Sequence, residues 1–386
     1  MHPFKKLLIL VIILLTFYII FNLLKSRQTI KLKMDEEQKI SMKNNILLKK
    51  DKIEDKIENK IEDKIEDKIE GFGPNDDENK EMKSSFGPLS IKSSFPPTYN
   101  SLPIREFIVK SSYNSAISGQ YAGKEPIMTV LERGCRLVDF EIYTRNNIEY
   151  VSYSEDPQYQ SIDIENDTAN QLSLGDAFNT VIGYAFTTPS PSPNDPIFVS
   201  LRIKNNSPEA YSRIATLIDF AFKKRLYEGE VNGETQLKDL IGKVIIILDK
   251  TSSPDYKNHI KCSSSNCYKL SDYVNMEAGT ISFPKYTYTN LETLPQKVIM
   301  PSKNGLRTNI KNFMMITPLQ IDQIKPPNPV DTITKWHPQF LSYKFYKPSD
   351  ELNEYEDIFN QNQTSFVPVS TLIVKERQKN SAVDNN

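Results

Sequence analysis

Two acidic residues, Asp139 and Glu141, are the first candidates for chemistry in this sequence. They lie two positions apart in the run CRLVDFEIY at 135–143, which is typical of a β-strand. Side chains alternate between the two faces of a strand, so both carboxylates point to the same face. A pair of carboxylates placed in this way could bind a cation, because hard cations prefer oxygen ligands.

Histidine is scarce, and its scarcity excludes several reaction classes. The sequence contains only His2, His259 and His337, and His2 precedes a hydrophobic segment. Chemistry that needs two neighbouring imidazoles is therefore nearly excluded. We expect His259 and His337 to be ordinary surface residues rather than catalysts.

The three cysteines and the net charge exclude further classes of site and partner. Cys135 lies in a strand-like run and is expected to be buried, and the cysteine spacing is not that of a zinc site. Cys262 and Cys267 flank four polar residues and could form a disulfide if the domain faces an oxidising compartment. The formal net charge is -1, which does not favour a nucleic-acid partner.

Strand-like and helical segments alternate after residue 100. The strand-like runs are 106–109, 135–143, 150–154, 196–203, 243–248, 313–317 and 340–346, and the helical stretches are 174–184 and 209–225. Continuous apolar runs such as VIIIL are typical of parallel strands that are buried on both faces. The alternation predicts repeated βα units that close into a barrel, whose functional residues lie at the C-terminal ends of the strands.

The N-terminal region predicts a membrane anchor. Residues 7–24 are LLILVIILLTFYIIFNLL, eighteen residues without a charge, which is close to the minimum for crossing a bilayer. A cleaved signal peptide is the alternative, but its hydrophobic part is usually shorter. Basic residues flank both ends of the segment, and a small excess on the C-terminal side favours a single-pass protein with a cytosolic barrel.

The sequence divides into five regions. Residues 25–99 are a low-complexity charged spacer in which 51–70 repeat the tetrad DKIE, and a solvated spacer is favoured over an oligomerisation rod. Proline and serine accumulate at 72–103, as in a flexible approach to a domain. The full division is an N-terminal tip at 1–6, an anchor at 7–24, the spacer at 25–99, a barrel at 100–374 and a disordered tail at 375–386.

Several motifs resemble the phosphoinositide-specific phospholipase C catalytic barrel. Its X half resembles residues 100–250, through SSYNSAISG at 111–119, RGCRLVDFEIY at 133–143, SLGDAFNTVIGYAF at 173–186 and PIFVSLRI at 196–203. Its Y half resembles residues 270–374, through LSDYVNMEAGTISF at 270–283, MITPLQIDQIKPPNP at 315–329 and WHPQFLSYKF at 336–345. The resemblance implies a distorted TIM-type (βα)8 barrel, preceded here by a transmembrane helix and a low-complexity spacer.

The resemblance also implies a mechanism in which one histidine deprotonates the inositol 2-hydroxyl and a second protonates the leaving group. In this chain the first histidine position is Tyr113 and the second is Asp156. A phenol with a pKa near 10 is a poor base at neutral pH. A carboxyl group has no proton to donate there unless desolvation raises its pKa by several units.

The family's calcium site is altered as well. Asn114, Asp139 and Glu141 fall on calcium ligands, with the two acid types exchanged, but the fourth ligand position is Arg202. A guanidinium group offers only hydrogen-bond donors and cannot ligate calcium. We expect Arg202 to pair with one or both acids, so that no cofactor is needed, although calcium remains the cofactor if the remnant site still binds it.

The positions that would hold the inositol phosphates are mostly lost. Met315 and Thr317 replace an arginine and a tyrosine, and Ile247 and Asp249 stand where lysines are expected, with only Lys250 nearby. The sequence therefore predicts a membrane-anchored pseudoenzyme that binds a lipid surface, a phosphoinositide or a protein partner. The alternative is an active phosphodiesterase that uses Asp156 or Glu155 as its acid-base group. A purely structural membrane protein is not distinguishable from the first hypothesis by sequence.

Overall fold

In the computed structural model of this chain, the described residues are 74–91, 94–119, 121–153, 171–258, 268–295, 308–319 and 324–383. The predicted anchor, the DKIE repeats, Glu155, Asp156, His259 and both later cysteines lie outside these ranges. Within the described part of the chain, no helix has the length and apolar character needed to cross a bilayer.

The described residues contain eleven strands and seven α-helices. The strands are β1 Phe107–Ser112, β2 Leu137–Arg145, β3 Ile148–Ser152, β4 Leu172–Ser173, β5 Ile197–Ile203, β6 Val244–Asp249, β7 Met276–Ala278, β8 Lys285–Thr287, β9 Met315–Thr317, β10 Phe340–Tyr343 and β11 Phe366–Pro368. The helices are α1 Pro74–Ser84, α2 Lys124–Glu132, α3 Leu174–Ala185, α4 Pro208–Phe222, α5 Pro329–Trp336, α6 Asp350–Asn362 and α7 Val369–Val383.

Eight of the strands form a nearly closed parallel barrel, in the order β7-β6-β5-β2-β1-β10-β9-β8. No pairing joins β7 to β8 among the described residues, so the barrel has a seam there. β11 pairs antiparallel with β1. β3 pairs antiparallel with β2, and β4 pairs antiparallel with β3. The predicted TIM-type α/β architecture is confirmed.

The strands β1, β5 and β6 are buried at every position, and so on both faces, as their apolar runs predict. Phe107 and Val109 of β1 pack in the barrel interior with Phe198 and Phe340, whereas Ile108 packs in the layer between sheet and helices. Side chains that alternate along a strand thus supply both layers. By the same alternation, every second side chain at the C-terminal ends of the strands faces the barrel mouth.

Local sequence signals begin four of the helices. Ser173, Ser207, Asn328 and Ser349 each accept a hydrogen bond from a backbone N–H in the first turn of the helix that follows, as N-caps do. α4 and α5 also have proline at an N-terminal position, where its missing N–H costs nothing.

Three expectations differ from the structure. Residues 74–91 and 94–99 pack onto the barrel, with Met82 and Phe95 buried, rather than forming a flexible approach. α7 continues to Val383, so a helix replaces the expected tail at 375–383, where lysine, glutamate, arginine and glutamine favour helix. His337, which ends α5 in a left-handed conformation, is only 3% exposed and is therefore not a surface residue. Cys135 is buried, as expected.

Asp195 is a fully buried acid just before β5, and it interacts electrostatically with Arg136, which lies just before β2. Arg136 donates hydrogen bonds to Ser190 Oγ at 2.6 Å and to the Ala185 carbonyl oxygen at 2.8 Å. Burial raises the pKa of Asp195 to about 6 from its ordinary 3.8, although Arg136 opposes the shift. The folded protein therefore keeps a proton that the unfolded chain has lost at pH 5.

Unfolding free energy should consequently depend on pH through Asp195. Its contribution is fully present below pH 3.8 and is lost as the pH rises through about 6. Between pH 4 and pH 7, Asp195→Asn should gain stability relative to the unsubstituted protein by about 2 to 3 kcal/mol, measured by urea unfolding. The exposed Asp357→Asn is the control. Equal pH slopes for Asp195→Asn and the unsubstituted protein would contradict the assignment.

Candidate functional site

The candidate site lies on two neighbouring barrel strands, β2 and β5. These strands pair in parallel, with Asp139 opposite Ser200 and Glu141 opposite Arg202. All four side chains share the inward face, because they occupy alternate positions that continue from Leu137 and Phe198 of the barrel interior. The strand parity read from the sequence therefore brings both acids and Arg202 together.

Arg202 is the centre of this site. Its Nε lies 3.1 Å from Asp139 Oδ2 and 3.2 Å from Asp139 Oδ1, and its Nη2 donates to Asp139 Oδ2 at 2.9 Å. Its Nη1 donates to Glu141 Oε2 at 2.6 Å. The expected pairing with both acids is present, and planar guanidinium is well suited to such bidentate contacts. All three side chains are almost fully buried.

The loop after β1 completes the surroundings of Arg202. Asn114 Oδ1 accepts a hydrogen bond from Arg202 Nη2, and the Asn114 backbone N–H donates to Asp139 Oδ2 at 3.2 Å. Asn114 has a φ of 46°, a left-handed conformation that asparagine tolerates better than most residues. The Tyr113 ring lies 4.4 Å from the Arg202 guanidinium carbon in a cation–π contact.

The electrostatics of the site hold both central groups in one protonation state. Burial lowers the pKa of Arg202, but the carboxylates of Asp139 and Glu141 outweigh it and raise the pKa well above its ordinary value. Burial also raises the pKa of Tyr113, against the opposing effect of Arg202. Tyr113 is therefore a neutral, packed phenol at physiological pH and cannot serve as a general base.

The residues of this site do not fit calcium. Calcium needs six to eight oxygen ligands, and the oxygens that could supply them here, on Asp139, Glu141 and Asn114, accept hydrogen bonds from Arg202 instead. The guanidinium group contributes positive charge and no lone pair at the same position. Within the ranges that the structure describes, no three acids, histidines or cysteines are grouped so as to hold a metal ion.

The other predicted positions that the structure describes do not join the site. Asp156, the proposed acid position, lies outside the described residues. Lys250 pairs with Glu277 at 3.4 Å. Met315 packs in the barrel interior, and Thr317 is buried on the same strand. None of these three described residues is among the contacts of Arg202.

Sequence reasoning missed two lysines of the barrel. Lys204 Nζ lies 3.4 Å from Glu141 Oε1. Lys285 Nζ lies 2.5 Å from Asp249 Oδ2, so a lysine of β8 pairs with the acid at the end of β6. Lys204 was within reach of prediction because it lies two positions after Arg202. Lys285 was not, because it belongs to a three-residue strand that has no periodic signal of its own.

Comparisons with known proteins show what this barrel is similar to. Residues 100–251 match the family model of the phosphatidylinositol-specific phospholipase C X domain. Similar solved structures include PLC21 of L. pealei, at 14% identity and a TM-score of 0.50, covering 70% of this chain and 37% of that one. Others are a calcium-dependent phosphoinositol-specific phospholipase C from Pseudomonas sp (11% identity, TM-score 0.43, covering 71% and 97%) and the phosphatidylinositol-specific enzyme of Listeria monocytogenes (14%, 0.42, covering 71% and 99%). No curated protein matches the sequence.

The resemblance to phosphoinositide-specific phospholipase C is thereby confirmed, with the X half as the matched region. At 14% identity, the likeness to PLC21 shows a shared fold and nothing further. The chain spans 37% of the length of PLC21. The residues around Arg202 all fall within the matched X region.

Proposed function

We propose that this protein is a membrane-anchored phospholipase C-like barrel that is catalytically inactive and acts by binding a lipid surface or a protein partner. The observation that carries the proposal is the position of Arg202, whose guanidinium group forms ion pairs with both carboxylates of the site. Membrane attachment rests on the apolar segment at 7–24, and the barrel follows it in the same chain.

Charge neutrality supports the loss of metal-dependent chemistry. Asp139 and Glu141 carry two negative charges, and Arg202 with Lys204 carries two positive charges, so this cluster is balanced by its own side chains. A divalent cation would meet buried positive charge that is already paired. Metal binding would have to displace Arg202 and leave a guanidinium group without its carboxylates, which is strongly unfavourable in a buried site.

The pairing of two barrel lysines with carboxylates supports a weak affinity of the barrel for phosphate. Lys285 is engaged by Asp249, and Lys204 by Glu141. An anionic headgroup would therefore compete with carboxylates that already form ion pairs with both lysines. Binding to lipid, where it occurs, would then use the outer rim of the mouth rather than the inositol pocket of the family.

Hydrolysis of phosphatidylinositol vesicles tests the proposal. With calcium present, we expect no turnover by the full chain, nor by the double variant Tyr113→His and Asp156→His, because Arg202 still fills the site. Turnover by the unsubstituted protein that disappears in Asn114→Ala would favour the alternative, an active phosphodiesterase. Sedimentation of residues 74–386 with the same vesicles, compared with vesicles lacking anionic lipid, separates a lipid partner from a protein partner.

A further inference from the structure

Residues 74–91 and 94–99, here called the arm, pack against the barrel although they precede the region that matches the family. The arm follows α2 along its length. Its Glu78 reaches the loop before α2, and its Gly87 carbonyl oxygen accepts from Arg133 Nη1 at 2.7 Å, just after α2. Phe95 then packs on Phe366 with ring centroids 5.5 Å apart. The arm is therefore part of the folded domain.

The first contact of the arm falls on the loop that follows β1. Ser118 Oγ donates to Glu78 Oε2 at 3.1 Å. Gly119 packs so closely on Glu78 that an added Cβ would lie 2.9 Å from the same oxygen. Tyr153 OH donates to the Gly119 carbonyl oxygen at 3.0 Å. Glu78 and Tyr153 thus both hold the distal end of this loop.

The proximal end of the same loop forms part of the Arg202 site. The Ser115 backbone N–H donates to the Asp139 carbonyl oxygen at 2.9 Å, and Ser115 Oγ accepts from the Asp139 backbone N–H at 2.9 Å. The Ile117 N–H donates to the Asn114 carbonyl oxygen at 3.0 Å. Only three residues separate Asn114 from Ser118, and all three are buried. A displacement of Ser118 should therefore be transmitted to Asn114.

We propose that Glu78 is a positioning residue for the Arg202 site, coupled to it through the loop that follows β1. Glu78 holds Ser118 and Gly119, and the tight turn between them and Asn114 keeps Asn114 and Tyr113 against Arg202. This inference goes beyond the proposed function, because it requires neither catalysis nor its absence. It assigns a role to a segment outside the matched X region.

Hydrogen exchange of the full chain tests the coupling. The amides of Tyr113, Asn114 and Ser115 are all hydrogen bonded, so their exchange reports whether the loop opens. Glu78→Ala should speed their exchange by about tenfold, as expected for the loss of one restraining hydrogen bond. Glu78→Gln keeps an acceptor for Ser118 and should restore slow exchange. Glu81→Ala, at an exposed position on the same helix, is the matched control.

A second variant approaches the contact from the loop. Gly119→Ala places its Cβ against the Glu78 carboxylate and should speed the exchange of the same three amides. In every variant the amides of β5 should exchange as in the unsubstituted protein. Equal exchange in Glu78→Ala and Glu81→Ala, or a rise in β5 as large as that in the loop, would overturn the proposal.

Discussion

Replacing Arg202 with glutamate is expected to convert the site into one that binds calcium. The substitution removes five donors and adds a carboxylate beside Asp139, Glu141 and Asn114, whose oxygens then lose their partner. With Lys204 still present, the cluster carries a net charge of -2 (three carboxylates and one ammonium), which one calcium ion would neutralise. Without calcium, Arg202→Glu should lose more than about 3 kcal/mol of stability, because buried carboxylates repel one another.

Calorimetry and thermal unfolding measure this conversion. Calcium at 100 times its dissociation constant should stabilise Arg202→Glu by about 2.7 kcal/mol, and the binding heat should vanish when Asp139→Ala is added. Arg213→Glu is the matched control, because Arg213 forms a partly exposed pair with Glu149, 2.8 Å apart, away from the β1 loop. A binding heat for the unsubstituted protein that Asp139→Ala abolishes would show that Arg202 does not exclude the metal.

The centre of the site could be predicted because strand parity is a local rule. Asp139, Glu141 and Arg202 lie in long apolar runs whose burial fixes which face is inward, so the period of two determines their common direction. The contacts of Tyr113 and Asn114 with Arg202 were less accessible to sequence, because they depend on a loop and on a left-handed backbone at Asn114. The resemblance located these residues, and the geometry gave their contacts.

Features that depend on distant partners could not be predicted in the same way. The arm has the proline and serine content of a linker, yet Met82, Ile91 and Phe95 are buried because they pack into hydrophobic clusters with barrel residues. The pairing of Lys285 with Asp249 joins strands 36 residues apart, and no local pattern sets that register. Composition indicates the conformational preference of an isolated segment, whereas burial depends on the residues against which the segment packs in the fold.

Glu356→Ala is expected to be among the most destabilising single changes on the outer layer of the barrel. Glu356, on α6, accepts from Lys110 Nζ at 2.8 Å and also binds Arg133 at the end of α2. The Lys110 side chain is fully buried on β1, with the Phe345 and Phe359 rings within 6 Å of its Nζ. Removing the carboxylate leaves a buried ammonium group without its counter-ion, which typically costs 3 to about 5 kcal/mol.

Two further variants distinguish the loss of the Lys110–Glu356 ion pair from a loss of packing. Urea unfolding at pH 7 should show that Lys110→Met with Glu356→Gln loses far less stability than Glu356→Ala. The double change removes the fully buried ammonium group together with its counter-ion, and it leaves an amide oxygen at position 356 to accept from the partly accessible Arg133. Asp357→Ala, an exposed acid on the same helix, should change stability by less than about 0.5 kcal/mol.

The pH dependence supplies an independent check on the same group. Burial raises the pKa of Glu356, but Lys110 and Arg133 outweigh it, so the pKa lies below its ordinary value. The stability from this pair is thus present above pH 4.5 and is lost as the pH falls through the folded pKa. Glu356→Ala should therefore cost less at pH 3 than at pH 7. If its cost were independent of pH, packing rather than charge would join β1, the strand that leads into the Arg202 site, to α2 and α6.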